Sequence, residues 1–161
     1  PTLAGKGYVF NGLTHDSYVV EYQEKPDCMS HGIYEEIIEK PWSVGQISIK
    51  EALEEVKKAL GDKAVLELDR DIATTACCEC GESKELFMPV HRLNGTLLTC
   101  PKCGKQMIFE SKHSFNGSEE YITKTFAEIG IPPLHIITGR AGMDNRYYEF
   151  SADVAEVFKG L

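Results

Sequence analysis

The sequence lacks the features that mark membrane proteins and the common nucleotide-binding and catalytic families. It has no apolar run of the roughly 20 residues needed to span a bilayer. It contains no GxGxxG, no GxxxxGK followed by Ser or Thr, no GxSxG and no HExxH pattern. Internal repeats and low-complexity linkers are also missing. We therefore expect no membrane partner, and motifs assign neither catalytic nor cofactor-binding residues.

A basic segment of the kind that binds nucleic acid is also missing. The formal net charge is −8 over 161 residues. Residues 1–76 carry eight basic and fourteen acidic groups, 77–113 carry five and four, and 114–161 carry four and seven. Because phosphate binding requires clustered Lys and Arg, a nucleic-acid partner is disfavoured.

Two cysteine pairs dominate what is present. The first pair, Cys77 and Cys80, and the second, Cys100 and Cys103, are spaced as C-x2-C-x19-C-x2-C, and one glycine follows each pair. This spacing is typical of a zinc ribbon, in which two tight turns supply four thiolates to one tetrahedral ion. Cys78 makes the register ambiguous, but only the pairing of Cys77 with Cys80 gives C-x2-C-G in both halves. We predict Cys77, Cys80, Cys100 and Cys103 as ligands of a structural Zn²⁺.

The residues between the pairs fit a hairpin. Runs 85–93 and 96–99 are strand-like, and Asn94-Gly95 between them is favoured in two-residue hairpin turns. A further strand is predicted over 106–110. With four sulfur ligands there is no position for water, so no chemistry is expected at the metal.

Other uses of the cysteines stay open. A redox C-x2-C pair normally opens a helix after a strand. Disulfides would suit a secreted chain, and Asn94-Gly95-Thr96 and Asn116-Gly117-Ser118 match glycosylation acceptors. No signal-peptide pattern is seen, and we expect a cytoplasmic protein. Cys28 with His31, or Cys78 alone, could instead serve a thiol enzyme.

Local patterns predict a mixture of strands and helices. Ser48 and Glu51 form a capping box before the clearest helix, which ends at Leu60-Gly61. The other predicted elements are strands 8–10, 17–22, 64–68, 134–138 and 146–150, and helices 32–40, 119–129 and 153–161. The predicted fold class is α+β: a small mixed sheet with packed helices and an inserted four-cysteine zinc ribbon. Residues 1–76 and 114–161 would form the body, and 77–113 the insertion.

Two charged clusters admit a functional reading. Asp69 and Asp71 flank Arg70 and resemble a carboxylate pair, but a solvated cluster at a strand end is the favoured interpretation. Arg140 and Arg146 could hold an anion on a glycine-containing loop, although a solvated turn is favoured there too.

Four stretches together resemble the carboxy-terminal part of ThiF-type adenylyltransferases, the superfamily of ThiF, MoeB, HesA and the ubiquitin-activating enzymes. They are Pro26-Asp27-Cys28 after a strand, the capped helix ending in Leu60-Gly61, the paired knuckles, and the tail Ile129-Gly130-Ile131-Pro132-Pro133-Leu134-His135-Ile136. The chain begins at Pro1 within a strand pattern, which suggests part of a longer protein.

The resemblance implies an ATP- and magnesium-dependent enzyme that adenylates a ubiquitin-like or sulfur-carrier protein. The family's four-cysteine zinc site carries over to Cys77, Cys80, Cys100 and Cys103. Its nucleotide site has no counterpart here and would lie upstream of Pro1. The 161 residues are therefore expected to contribute structure and partner docking rather than catalysis.

Overall fold

The computed structural model describes residues 3–23, 34 and 36–159. Contacts between residues divide the chain into two compact units, Pro1–Ile33 and Tyr34–Leu161. Cys28 and His31, the pair considered for thiol chemistry, lie outside the described residues, as does the Pro26-Asp27-Cys28 stretch of the resemblance. The predicted division into a body and an inserted ribbon stays a prediction.

The first unit contains an antiparallel hairpin of β1 (Lys6–Asn11) and β2 (Asp16–Glu21). The turn between them is stabilised locally, because the Leu13 N–H donates to Asn11 Oδ1 at 3.0 Å. Both strands were predicted from the alternating pattern, and the structure confirms them.

The second unit is built on one mixed sheet of six strands. The strands are β3 (Ile37–Lys40), β4 (Val65–Cys77), β5 (Ser83–Pro89), β6 (Ile108–Phe115), β7 (Ile136–Ala141) and β8 (Asp144–Phe150). Their order is β3-β8-β7-β4-β5, with β6 also paired to β4. Only β3 and β8 run parallel; the other described pairings of this sheet are antiparallel. A mixed α+β fold with a cysteine cluster was predicted and is confirmed.

Helix α1 (Ile49–Leu60) covers this sheet and forms as its sequence predicts. Ser48 Oγ accepts from the Glu51 N–H, and the Glu51 carboxylate accepts from the Ser48 N–H at 2.8 Å, which completes the capping box. The face that includes Ile49 and Val56 is buried against β4 and β7. This packing builds the main hydrophobic core of the unit.

A second predicted helix, over 119–129, is wrong: the segment forms turns. Two of its carbonyl groups bind the start of α1 instead. The Ile122 carbonyl accepts from the Lys50 N–H at 2.8 Å, and the Lys124 carbonyl accepts from the Ile49 N–H at 3.0 Å. These N–H groups have no partner within their own helix. The segment therefore caps α1 rather than forming a helix itself.

The predicted helix over 32–40 is also wrong where the chain is described. Ile37–Lys40 is strand β3, in which Ile37 lies opposite Tyr147 and Lys40 opposite Phe150 of β8. Isoleucines at this spacing fit a helix face, but they are equally good strand residues, and pairing with β8 decides between the two. A short helix α2 (Val154–Val157) follows β8, within the range predicted.

The cysteine-containing ribbon, residues 77–113, differs from the predicted hairpin. β5 begins earlier than expected and is followed by a 3-10 helix, Val90–Arg92. Residues 96–98 form turns instead of a strand, because Asn94 Oδ1 and the Asn94 carbonyl accept from the Leu97 and Leu98 N–H groups. Thr99 makes an isolated antiparallel bridge with Gln106. The strand predicted over 106–110 begins two residues later and ends further along the chain, as β6.

We predict that Gly139→Ala destabilises the second unit by about 1–3 kcal/mol, the usual effect of overpacking a core. A Cβ at Gly139 would lie 2.6 Å from Val56 Cγ1 and 3.1 Å from the Tyr148 ring. Urea unfolding measures the change. Gly95→Ala is the matched control, since nothing lies within 4 Å of that position. Equal unfolding midpoints for the two variants would show that Gly139 is not needed for packing.

Candidate metal centre

Four cysteine sulfurs cluster at one end of the sheet. The Sγ atoms of Cys78, Cys80, Cys100 and Cys103 all lie within 4.8 Å of one another. Two of the separations are 3.4 Å, from Cys78 to Cys103, and 3.6 Å, from Cys80 to Cys100. A tetrahedral ion with metal–sulfur bonds of about 2.3 Å places its sulfurs about 3.8 Å apart. The cluster therefore has the ligand type and the spacing for a metal ion such as zinc.

The first turn of the cluster runs from Cys78 to Glu82. The Cys78 N–H donates to the Glu82 carbonyl at 2.8 Å, and the Gly81 N–H donates back to the Cys78 carbonyl at 2.9 Å. Gly81 has φ of 86°, a conformation that side-chain-bearing residues rarely adopt. The two clustered cysteines of this turn, Cys78 and Cys80, are separated by a single residue.

The second turn has the same construction with one more residue. The Cys100 N–H donates to the Lys105 carbonyl at 2.8 Å, and the Gly104 N–H donates to the Cys100 carbonyl at 2.9 Å. Gly104 has φ of 72° and occupies the place of Gly81. The second turn is thus C-x2-C-G, as predicted, whereas the first is C-x-C-G.

The structure brings the sulfur of Cys78, rather than that of the predicted Cys77, into the four-sulfur cluster. Cys77 is the last residue of β4, paired with Ser83 and Ile108, and it is exposed. Side chains alternate across a strand, so Cys77 lies on the face opposite Ala76. Ala76 and Cys78 are both buried in the small core of the ribbon. The prediction of Cys77 assumed two turns of equal length, whereas the first turn of the structure is one residue shorter than the second.

A second hydrophobic cluster supports the cysteines from within. It is formed by Ala76, Cys78, Leu98, Cys100 and Met107. The Met107 N–H donates to the Leu98 carbonyl at 2.7 Å, which links the residue before β6 to the turns that precede it. Two ligands, Cys78 and Cys100, are therefore buried, while Cys80 and Cys103 are exposed.

Backbone N–H groups are aimed at the sulfurs, and they shape the ionisation of the thiols. Burial disfavours the Cys100 thiolate, but the N–H groups of Cys103 and Lys102 donate to its sulfur and bring its pKa down to about 7. The Lys105 N–H favours the Cys103 thiolate in the same way, yet the neighbouring thiols, that of Cys78 first, raise its pKa to about 12. The pKa of the Cys100 thiol is therefore lowered, while the pKa values of the Cys80 and Cys103 thiols are raised. A divalent cation removes that conflict, because thiolates are the form that binds metal.

The paired carboxylates singled out on β4 do not form an acid–base pair. Asp71 Oδ1 lies 2.8 Å from His113 Nδ1, and Asp69 Oδ1 lies 3.2 Å from His135 Nε2. Each carboxylate therefore faces a different histidine. No local pattern in the sequence signals these contacts, because both histidines are far along the chain.

Arg140 and Arg146, considered above as an anion site, lie on the hairpin formed by β7 and β8. Arg140 Nη2 lies 3.2 Å from Glu67 Oε2, and Arg140 Nε donates to Asn145 Oδ1. Arg140 is thus occupied by a carboxylate rather than free to hold an anion. Arg146 lies on β8, where it is exposed.

Comparisons of the chain with protein families, with curated proteins and with solved structures gave no match. The relationship to ThiF-type enzymes therefore stays a prediction. In the part of the chain that the structure describes, no helix is both long and apolar enough to cross a membrane.

We predict that Cys78→Ser releases bound metal, whereas Cys77→Ser retains it. Changes outside the ligand shell already weaken metal binding by about 10–100-fold, so loss of a ligand should weaken it at least as much. Elemental analysis after dialysis against a competing chelator gives the metal content per chain. The two variants lose the same atom from adjacent residues, so each controls for the other. The reverse result, metal kept by Cys78→Ser and lost by Cys77→Ser, would show that Cys77 is the ligand, as the C-x2-C spacing predicts.

Proposed function

We propose that the chain binds one Zn²⁺ through Cys78, Cys80, Cys100 and Cys103, and that the ion is structural. Four thiolates are the ligand set typical of structural zinc and fill a tetrahedral shell, leaving no position for a substrate or water. The observation that carries this proposal is the mutual approach of all four sulfurs within 4.8 Å.

The proposed ion would stabilise the ribbon. The small core of the ribbon contains only five buried residues, two of them cysteines. A cluster of that size cannot hold the turns together unaided, and in such modules metal binding contributes directly to folding. The ion would hold the two turns together and so fix the end of β4, which leads into the first turn, and the starts of β5 and β6, which follow the two turns.

We further propose that this module is the terminal region of a ThiF-type activating protein. The support is the order of its motifs, and one contact links two of them. A Cβ at Gly130, in the Gly-Ile-Pro-Pro tail, would lie 2.7 Å from Pro89 Cδ at the end of β5. The tail therefore packs closely against the strand that leads out of the first knuckle. Such contact is expected if knuckles and tail form one unit in that family.

Its proposed contribution to such a protein is structure and the docking of a ubiquitin-like or sulfur-carrier protein. The 161 residues contain no glycine-rich phosphate motif, so ATP and Mg²⁺ would bind elsewhere in the protein. A mainly acidic surface, with net charge −8, favours a partner with a basic face.

Metal removal tests the structural role. We expect chelation to abolish hydrogen-exchange protection of the ribbon amides, such as Cys100 and Met107, while α1 amides such as Val56 stay protected by the main core. Adding zinc should restore the ribbon signals. Ribbon amides that remain protected without metal would contradict a structural ion.

Titration with candidate carriers tests the docking role. We expect saturable shifts in the ¹H–¹⁵N spectrum of the zinc-loaded chain on adding a ubiquitin-like or sulfur-carrier protein. An unrelated globular protein of similar size and charge is the control. If no carrier in a broad panel shifts any signal, or if the control shifts the same signals, the docking proposal fails while the metal proposal stands.

A further inference from the structure

A cavity of about 260 Å³ lies where the ribbon meets the rest of the second unit. Its walls come from the middle of β4, from the 3-10 helix after β5 and from the segment before β7. Part of the lining is apolar and is supplied by Ile72, Pro89, Ile131 and Pro132. The remaining side chains are charged or titratable, so the cavity combines the two kinds of contact typical of small-molecule sites.

A large bulge in β4 delivers two of the polar groups. Glu67 pairs with Ser114 and Ile72 pairs with Lys112, so the four residues 68–71 oppose one residue of β6. Bulges redirect side chains and are frequent beside functional sites. Here the bulge presents Asp69 and Arg70 to the cavity.

His135 contributes a largely buried imidazole ring to the wall of the cavity. Its Nε2 is inaccessible to solvent and lies 3.2 Å from Asp69 Oδ1, with no well-aligned hydrogen bond among the described residues. Burial, with help from Arg70, holds the pKa of His135 below its ordinary value. The preceding residue, Leu134, has φ of 58°, a strained conformation for a branched side chain.

The arginines of the cavity are available to a ligand. Arg70 Nε contacts Asp69 Oδ2 at 3.3 Å, and among the described residues its terminal nitrogens form no ion pair with a carboxylate. Arg92 makes no ion pair within the described residues and is exposed. Two guanidinium groups and one carboxylate give this cavity a positive balance, in a chain whose net charge is −8.

We propose that this cavity binds a small organic anion, a phosphate or carboxylate carried on an apolar or aromatic group. Arg70 and Arg92 would hold the oxyanion by charge-assisted hydrogen bonds, and the imidazole ring of His135 would line the site beside them. The apolar part would lie against Ile131 and Pro132. Nothing in this proposal depends on the identity of a carrier partner.

The ribbon and the body each supply one arginine to this site. Arg92 follows β5, within the ribbon, whereas Arg70 lies on the bulge of β4. A ribbon fixed by its metal therefore sets the distance between the two guanidinium groups. Ligand affinity should fall when the metal is removed.

The test uses the full zinc-loaded chain and three probes at constant ionic strength: phenyl phosphate, benzoate and inorganic phosphate. We expect phenyl phosphate or benzoate to give saturable shifts at the backbone amides of residues 70, 92 and 131 and at the His135 ring protons. The ring-bearing probe should bind more tightly than inorganic phosphate. Comparing phenyl phosphate with benzoate shows whether the site prefers phosphate or carboxylate.

Substitution locates the binding. Arg70→Gln and Arg92→Gln should each weaken the tighter probe about tenfold, the effect of losing about 1.4 kcal/mol. Arg146→Gln removes the same charge from an exposed position on β8 and should leave the affinity unchanged. Spectra of the free variants confirm that each is folded. Absence of saturation with both organic probes, or equal weakening in all three variants, would overturn the proposal.

Discussion

Four sulfur atoms held within 4.8 Å of one another are the constraint on which the ribbon depends. Two short turns bring them together, and each turn is closed by a pair of backbone hydrogen bonds and a glycine of positive φ. Without a cation the thiols differ: the pKa of Cys100 is lowered to about 7 while that of Cys103 is raised to about 12. The four sulfurs have the spacing of a tetrahedral metal shell, and thiolates are the form that binds a metal, so the geometry favours an ion.

Strand β4 transmits this constraint to the rest of the unit. Its first residues pair with β7 and its last with β5, and β6 pairs with both of these parts. Leu66 and Ile72 belong to the main core, whereas Ala76 belongs to the ribbon core. The bulge at 68–71 lies between these two ends and opens the cavity beside it. One strand therefore joins the helix-covered body, the candidate anion site and the metal site.

The sequence was most informative where structure is decided locally. The capping box of Ser48 and Glu51 and the apolar face of α1 predicted that helix correctly. It was least informative where a distant partner decides, as at 119–129, whose carbonyls cap α1, and at Ile37, which pairs with β8. The metal site shows both cases. The spacing predicted three ligands that the structure brings together, but choosing between Cys77 and Cys78 required knowing where β4 ends, which sets the face each side chain takes.

The site's composition can be measured directly at the metal. Zinc-edge X-ray absorption of the purified chain should show four sulfur neighbours at about 2.3 Å and no nitrogen or oxygen in the first shell. The same spectrum should be obtained for Cys77→Ser. A first shell with fewer than four sulfurs, or a nitrogen or oxygen ligand in the unsubstituted chain, would contradict a closed site of four cysteines.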